Sequence, residues 1–257
     1  MFQGSADAYD RFIGRYGPAL AAAMLERAGV EPGQRVLDVG CGPGPLAAEA
    51  ARIVGPENVA AVDPSEPFAE ACRARLPEAD VRIAPAESLP FDDGAFDAVL
   101  SQLVVNFMSD APKGVSEMAR VAMPEGVVAA CVWDYAGGMR LLRAFWDAAA
   151  AFDPKTAERD EGGSMRYADP DELHALWSQA ALDDVEVTAL DVAASYEDFD
   201  DLWTPFLAGL GPAGAYTASL GADEQAALRE KLRTELGDPE GPFALTARAW
   251  CVRGLAQ

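Results

Sequence analysis

Residues 34–55, QRVLDVGCGPGPLAAEAARIVG, set a carboxylate, Asp38, two positions ahead of three alternating glycines, Gly40, Gly42 and Gly44. Asp63 ends the apolar run NVAAVD, 19 residues after Gly44. Glycines between a strand and a helix let a ligand touch the backbone and aim free N–H groups at it. An acid at the end of the following strand accepts hydrogen bonds from ribose hydroxyls. The chemistry on offer is the binding of a nucleoside-containing cofactor at the carboxyl ends of strands.

Two cofactor classes satisfy that much. A dinucleotide fingerprint reads G-x-G-x-x-G. Here the order is G-x-G-x-G, Pro45 takes the place of that pattern's last glycine, and Asp38 precedes the turn. A carboxylate beside a pyrophosphate is repelled by it, whereas a ligand with an ammonium group is attracted. S-adenosylmethionine has an amino-acid end, a sulfonium, a ribose and an adenine. Asp38 suits its ammonium, the glycines suit close approach, and Asp63 suits its ribose. An NAD-type oxidoreductase is the disfavoured alternative.

The elements that must position these residues follow an alternating pattern. Strands are expected over 35–39, 58–63, 80–84, 95–101 and 126–133, with helices over 45–53, from Glu66 after an N-cap at Ser65, and over 111–122. Apolar runs with little alternation indicate strands covered on both faces, hence a parallel, doubly wound sheet. The second half breaks the rhythm. A helix-like MRLLRAFWDAAAAF leads into a charged loop, and Asp169-Pro170-Asp171-Glu172 is a well-formed helix start. Strands are expected at 185–190 and 243–254, with about 50 residues of helical pattern between them. Ser195 and Asp198 are expected to form a capping box ahead of Phe199, Leu202, Trp203 and Phe206.

VLDVGCGPG resembles the first motif of the class I S-adenosylmethionine-dependent methyltransferases. The likeness runs from about residue 9 to the C-terminus and is strongest over 35–133. AVDPSEPFAEACRARLP, AESLPFDDGAFDAVLSQLVVNFMSD and EMARVAMPEGVVAACVWD resemble the segments that follow in that family. The resemblance implies an α/β fold: a doubly wound, Rossmann-like, seven-stranded, mostly parallel sheet with the last strand antiparallel. It implies one methyltransferase domain over 1–257, a helical cap over 1–30, and helical insertions at 135–168 and 195–241 that cover a substrate. It implies S-adenosyl-L-methionine as cofactor, bound by Asp38, Gly40, Gly42, Gly44, Asp63, Pro64, Ala86, Glu87, Ser101 and Gln102. Relatives often carry an acid before the Ala-Glu pair, where it meets the adenine amino group; this chain has Pro85. Pro124-Glu125-Gly126 stands where relatives have Pro-Gly-Gly.

Methyl transfer from a sulfonium is an in-line displacement, so positioning and desolvation carry much of the catalysis. A neutral hydroxyl acceptor also needs a base; an amine or acidic phenol does not. His174 is the only histidine and the base candidate, but Leu173, Leu176 and Trp177 around it favour a surface or packing role. Asn106 and Phe107 follow the fourth strand, where the resemblance implies residues near the methyl group, and are acceptor-pocket candidates; the alternative is an ordinary strand-end turn. Trp133, Trp146, Trp203 and Phe206 either line an aromatic acceptor pocket or form core. YDRFIGRYG resembles a segment that in many relatives folds over the cofactor, which implies that Tyr9, Arg15 and Tyr16 close the site with an arginine facing the methionine carboxylate; the alternative is a solvated amphipathic helix.

Forty-two acids against 20 bases give a formal charge of −22. That field repels phosphate backbones and anionic lipid, so the expected partner is a small-molecule acceptor, with no nucleic acid and no membrane. Cys41, Cys72, Cys131 and Cys251 and one histidine give no zinc pattern, so no metal is expected. A cytoplasmic protein with reduced thiols is expected. A non-catalytic cofactor-binding protein is the alternative from outside enzymology. The oligomeric state is not legible.

Overall fold

A computed structural model of the chain describes residues 11–257. Seven strands form one sheet: β1 (Val36–Val39), β2 (Val59–Asp63), β3 (Asp80–Ile83), β4 (Phe96–Gln102), β5 (Ala122–Trp133), β6 (Leu182–Tyr196) and β7 (Phe243–Ala256). Their order is β3-β2-β1-β4-β5-β7-β6. Pairing is parallel from β3 through β5, and β7 runs antiparallel to β5. β1 and β2 are buried along their whole length, as strands covered on both faces must be. The strand order reverses beside β1, between β2 and β4, where a doubly wound sheet opens a crevice at its carboxyl edge.

The chain divides into two compact units. The sheet unit comprises Gly17–Trp133, Arg166–Leu190 and Ala249–Gln257. Its helices are α1 (Gly17–Ala28), α2 (Pro45–Val54), α3 (Glu66–Arg75), α4 (Ala111–Val121) and, from the later segment, α6 (Pro170–Ser178). Each of α2, α3, α4 and α6 carries proline in its first turn, where the missing N–H costs nothing. Asp169 caps α6 by accepting from the N–H groups of Asp171 and Glu172. Ser65 stands at the N-cap of α3, but its side chain makes no capping bond.

The helical unit comprises the segment ending at Tyr16, with Asp134–Met165 and Asp191–Arg248. It holds α5 (Arg140–Phe152), α7 (Phe199–Leu207), α8 (Gly211–Ser219) and α9 (Ala222–Glu235). Its core is aromatic. Phe145 stacks on Phe206 at 4.6 Å between ring centroids, and Phe12 meets Phe206 edge-on at 4.9 Å. Such pairs add about 0.5–1.5 kcal/mol each beyond the area they bury.

Three local expectations are corrected. α7 is capped by Asp198, which accepts from Asp201 N–H, and not by Ser195. β6 runs on to Tyr196, so Ser195 still belongs to a strand and its carbonyl accepts from Arg15. β5 begins at Ala122, and Pro124-Glu125-Gly126 bulges out of it: pairing with β4 jumps from Phe96↔Ala122 to Ala98↔Val127. Glu125 takes the left-handed conformation there, at φ +64°.

Candidate functional site

β1 delivers Asp38 to the carboxyl edge of the sheet, and the chain then turns through Gly40, Gly42 and Gly44 into α2. The three glycines have φ of +78°, +52° and +90°, all left-handed. Their neighbours differ. A Cβ on Gly40 would lie 2.5 Å from both methyls of Val104, and one on Gly44 would lie 2.9 Å from Cys72 Sγ. A Cβ on Gly42 would meet no atom within 4 Å. Two of the glycines therefore answer to the protein's own packing, and Gly42 alone leaves an open approach to the backbone.

The expectation of free amides in this loop is also corrected. Gly40 and Cys41 N–H both donate to Val62 O, at 2.8 and 2.9 Å, and Gly44 N–H donates to Cys41 O at 2.9 Å. Gly42 N–H donates to Asp63 Oδ2 at 2.9 Å. Asp63 Oδ1 accepts from Ser65 N–H at 2.8 Å. Asp63 thus ties the glycine loop to the end of β2, and each of its oxygens keeps a lone pair for a further donor. Burial raises its pKa, and the two backbone bonds oppose that rise.

Asp38 is 1% exposed. Its Oδ2 accepts from Ala47 N–H at 3.0 Å, which satisfies one orphan donor in the first turn of α2. Its Oδ1 is buried with no hydrogen-bond partner among the described residues. Burial pushes the carboxyl up to about 7; the Ala47 bond lowers it and the charge of Asp63 raises it further. A buried carboxylate with one bare oxygen is an uncompensated anion, and a cationic donor is what it lacks. That bare oxygen, with the open face of Gly42, fits an ammonium-bearing ligand and disfavours a pyrophosphate.

Ser101 is fully buried, and its hydroxyl donates to Val39 O at 2.9 Å, bracing β4 to the end of β1. Gln102 Nε2 donates to Gly17 O at 3.2 Å, and its buried Oε1 has no hydrogen-bond partner among the described residues. Pro64 follows Asp63 at the exit of β2. Ala86 is buried and Pro85 exposed in the loop after β3. Glu87 Oε1 accepts from Ser109 Oγ at 2.7 Å and Asp110 N–H at 3.0 Å, so it fastens that loop to the start of α4.

Asn106 and Phe107 sit on a single 3-10 turn after β4, Phe107 being 48% exposed. Trp133 ends β5 and is buried in the sheet unit. Trp146 and Trp203 are buried in the aromatic core of the helical unit: Trp203 packs on Phe206, and Trp146 on Phe145 and Tyr216. His174 lies on the exposed side of α6, opposite buried Leu173, Leu176 and Trp177. Its Nδ1 is 3.4 Å from Ser178 Oγ. Arg15 is fully engaged inside the helical unit. It pairs with Asp201 at 3.0 Å, donates to Ser195 O, and lies 4.2 Å over the Tyr196 ring. Tyr16 and Tyr196 share a hydroxyl contact of 3.1 Å. Tyr9 lies outside the described residues.

Sequence reasoning missed Glu161, a buried carboxyl inside what reads as a charged loop. It accepts from Trp146 Nε1 at 2.8 Å, and burial raises it to about 6, against the lowering effect of that bond. The only signal for it was a tryptophan whose N–H needs a partner when buried. The packing of Val104 on Gly40 and of Cys72 on Gly44 was also missed, since neither leaves a trace in a single sequence. Among the described residues no group of three or more histidines, cysteines or acids is placed to hold a metal ion. No described helix is long and apolar enough to cross a membrane.

Residues 37–130, the span that carries this geometry, match the family model described as "Methyltransferase domain". The chain belongs to the class I S-adenosylmethionine-dependent methyltransferases. A malonyl-[acyl-carrier protein] O-methyltransferase of Geobacter sulfurreducens is 31% identical over 179 residues, covering 68% of this chain and 65% of that protein. A putative methyltransferase from an antibiotic biosynthesis pathway of Anabaena variabilis aligns with a TM-score of 0.61 at 19% identity, covering 91% of this chain and 96% of that one. The [4+2]-cyclase SpnF aligns with a TM-score of 0.55 at 19% identity, covering 92% and 80%. At such identities the structural likeness is one of fold. The chain spans between 32% and 65% of the length of curated relatives it matches. The sheet places its glycine loop at the switch in strand order.

Proposed function

We propose that this methyltransferase moves a methyl group from S-adenosylmethionine to a small-molecule acceptor. The observation that carries the reading is Asp38: a buried carboxylate whose second oxygen has no partner, beneath a loop that is open only at Gly42. Asp38 Oδ1 receives the ligand's ammonium, and ionic pairing restores the charge balance that burial upset. Gly42 gives the close approach, while Gly40 and Gly44 hold the loop in shape. Asp63, with Pro64 behind it, accepts the ribose hydroxyls through its remaining lone pairs. Gln102 Oε1 offers an acceptor beside the methionine portion. Ala86 meets the base with its backbone N–H, and Glu87 and Ser101 keep the surrounding loops in place. The bound cofactor supplies an electrophilic methyl on a sulfonium that leaves as a neutral thioether.

On the acceptor side, Asn106 and exposed Phe107 are the sheet unit's nearest offering in sequence after β4. The charge of −22 supports a small, non-anionic acceptor over a nucleic acid or an acidic surface. The exposed position of His174 supports an acceptor that loses its proton without a histidine base.

Titration calorimetry with S-adenosylmethionine, S-adenosylhomocysteine and NAD tests the reading. Micromolar binding of both sulfur compounds, weakened tenfold or more by Asp38→Asn, is the expected result, since a charged hydrogen bond is worth about 1.5–3 kcal/mol. Binding of NAD in preference to either would overturn it. A second reading, cofactor binding without methyl transfer, is favoured by one observation: a cyclase shares the fold. Tight product binding with no turnover across amine, phenol and carboxylate acceptors would select it.

A further inference from the structure

We infer that the nucleoside end of this site reads the sugar but not the exocyclic amino group of the base, so an analogue whose purine carries hydrogen in place of that amino group binds as the adenine compound does. The inference rests on the cofactor reading above. Asp63 is the register partner of Ile83 in the neighbouring strand, and Ala84 N–H donates to Asp63 O at 3.2 Å. A ribose held at Asp63 therefore sets its base against the chain leaving β3. Ile83 is 48% exposed there, and it offers apolar surface to a flat ring.

An amino group is read only by an acceptor, and the carboxylates of this segment are turned elsewhere. Pro85 has no polar side chain, and its carbonyl accepts from Ser88 N–H at 3.2 Å. Glu87 is drawn to Ser109 and Asp110. The other two carboxylates of the segment, Asp92 and Asp93, face Arg82 and Arg120. A site that hydrogen-bonds a substrate group rejects the analogue lacking it strongly, whereas a site without that contact discriminates little.

The test is calorimetry with S-adenosylhomocysteine and its 6-deamino (purine riboside) analogue on the full chain and on Pro85→Asp. The wild-type affinities are expected to agree within about threefold. In Pro85→Asp an acceptor at the exposed start of the loop is expected to raise the preference for the amino compound to about tenfold or more. Discrimination of tenfold or more by the wild type overturns the inference and leaves the cofactor reading standing. An unchanged ratio in a folded Pro85→Asp overturns the placement of the base edge against residue 85 from which the inference is argued. Failure of the wild type to bind S-adenosylhomocysteine refutes the cofactor reading itself. Should Pro85→Asp not fold, the wild-type ratio decides alone. Pro85→Ala, which adds no acceptor, is expected to leave that ratio unchanged.

Discussion

Replacing Asp38 by asparagine should make the free protein more stable at alkaline pH while removing its ligand. Asp38 rises from an ordinary 3.8 to about 7 because burial disfavours its charge, only partly offset by the Ala47 hydrogen bond. Each tenfold change in acidity is worth about 1.4 kcal/mol, so ionising Asp38 costs about 4 kcal/mol more in the folded protein than in the unfolded chain. The folded state therefore binds more protons between pH 4 and 7, and stability falls as pH rises through that window. At pH 5 only about 1–2 kcal/mol of the cost is present; at pH 8 all of it is. The asparagine would keep an acceptor for Ala47 N–H and would not titrate. Its amide N–H groups would replace the bare oxygen, at a pH-independent cost of about 1–3 kcal/mol. Denaturant unfolding at both pH values separates the two effects. The stability difference, variant minus wild type, is expected to move by about 3 kcal/mol in the variant's favour from pH 5 to pH 8. A difference that stays flat across that range refutes the burial argument. Binding is a separate readout: if Asp38→Asn binds S-adenosylhomocysteine as the wild type does, the ammonium assignment is wrong. Wild-type binding near pH 7 should release about half a proton, because a cation drives Asp38 to ionise; buffers of different ionisation enthalpy measure this.

Three further outcomes follow from the same geometry. Gly42→Ala should fold with a loss of about 1 kcal/mol for its left-handed backbone, yet bind S-adenosylhomocysteine at least about tenfold more weakly; Gly40→Ala, which collides with Val104, should lose about 3 kcal/mol or more in denaturant unfolding. Glu125→Gly should stabilise by about 1 kcal/mol, because φ +64° strains glutamate and suits glycine, and an unchanged unfolding midpoint would contradict this. Glu161→Gln keeps an acceptor for Trp146 but removes a carboxyl held at about 6; the wild type loses stability from about pH 4.5 to 6, so the variant should gain about 2 kcal/mol between pH 4 and 7, read by unfolding at both.

The sheet was legible because burial on both faces makes β1 and β2 continuous apolar runs, and because glycine and proline mark where they stop. β6 was read too short, as 185–190. Its alternation continues through Val192, Ala194 and Tyr196, all buried, and an attractive capping box at Ser195 obscured it. The site was legible in its residue types and much less in their partners. Asp38 and Asp63 stand out by spacing, yet that Asp63 holds the loop's own Gly42 N–H depends on which strands pair. Arg15 reads as a free cation until Asp201, 186 residues away, is placed beside it. Long-range pairings of this kind leave no local pattern to read.

The contact between Gly44 and Cys72 bears on how this sequence can drift. Cys41 and Cys72 are both buried free thiols, and hydrogen bonding to Cys72, with burial, pushes the Cys41 thiol well up. Cys41 is not poised for thiolate chemistry. Cys72 instead acts as a spacer of fixed volume between α3 and the glycine loop. A larger side chain there presses on a turn that has no side chain to move aside, and a smaller one leaves the turn unsupported. Position 72 is therefore confined to residues near cysteine in size for as long as position 44 is glycine. A cysteine retained here through such drift would record a constraint of volume, inherited from the loop it props.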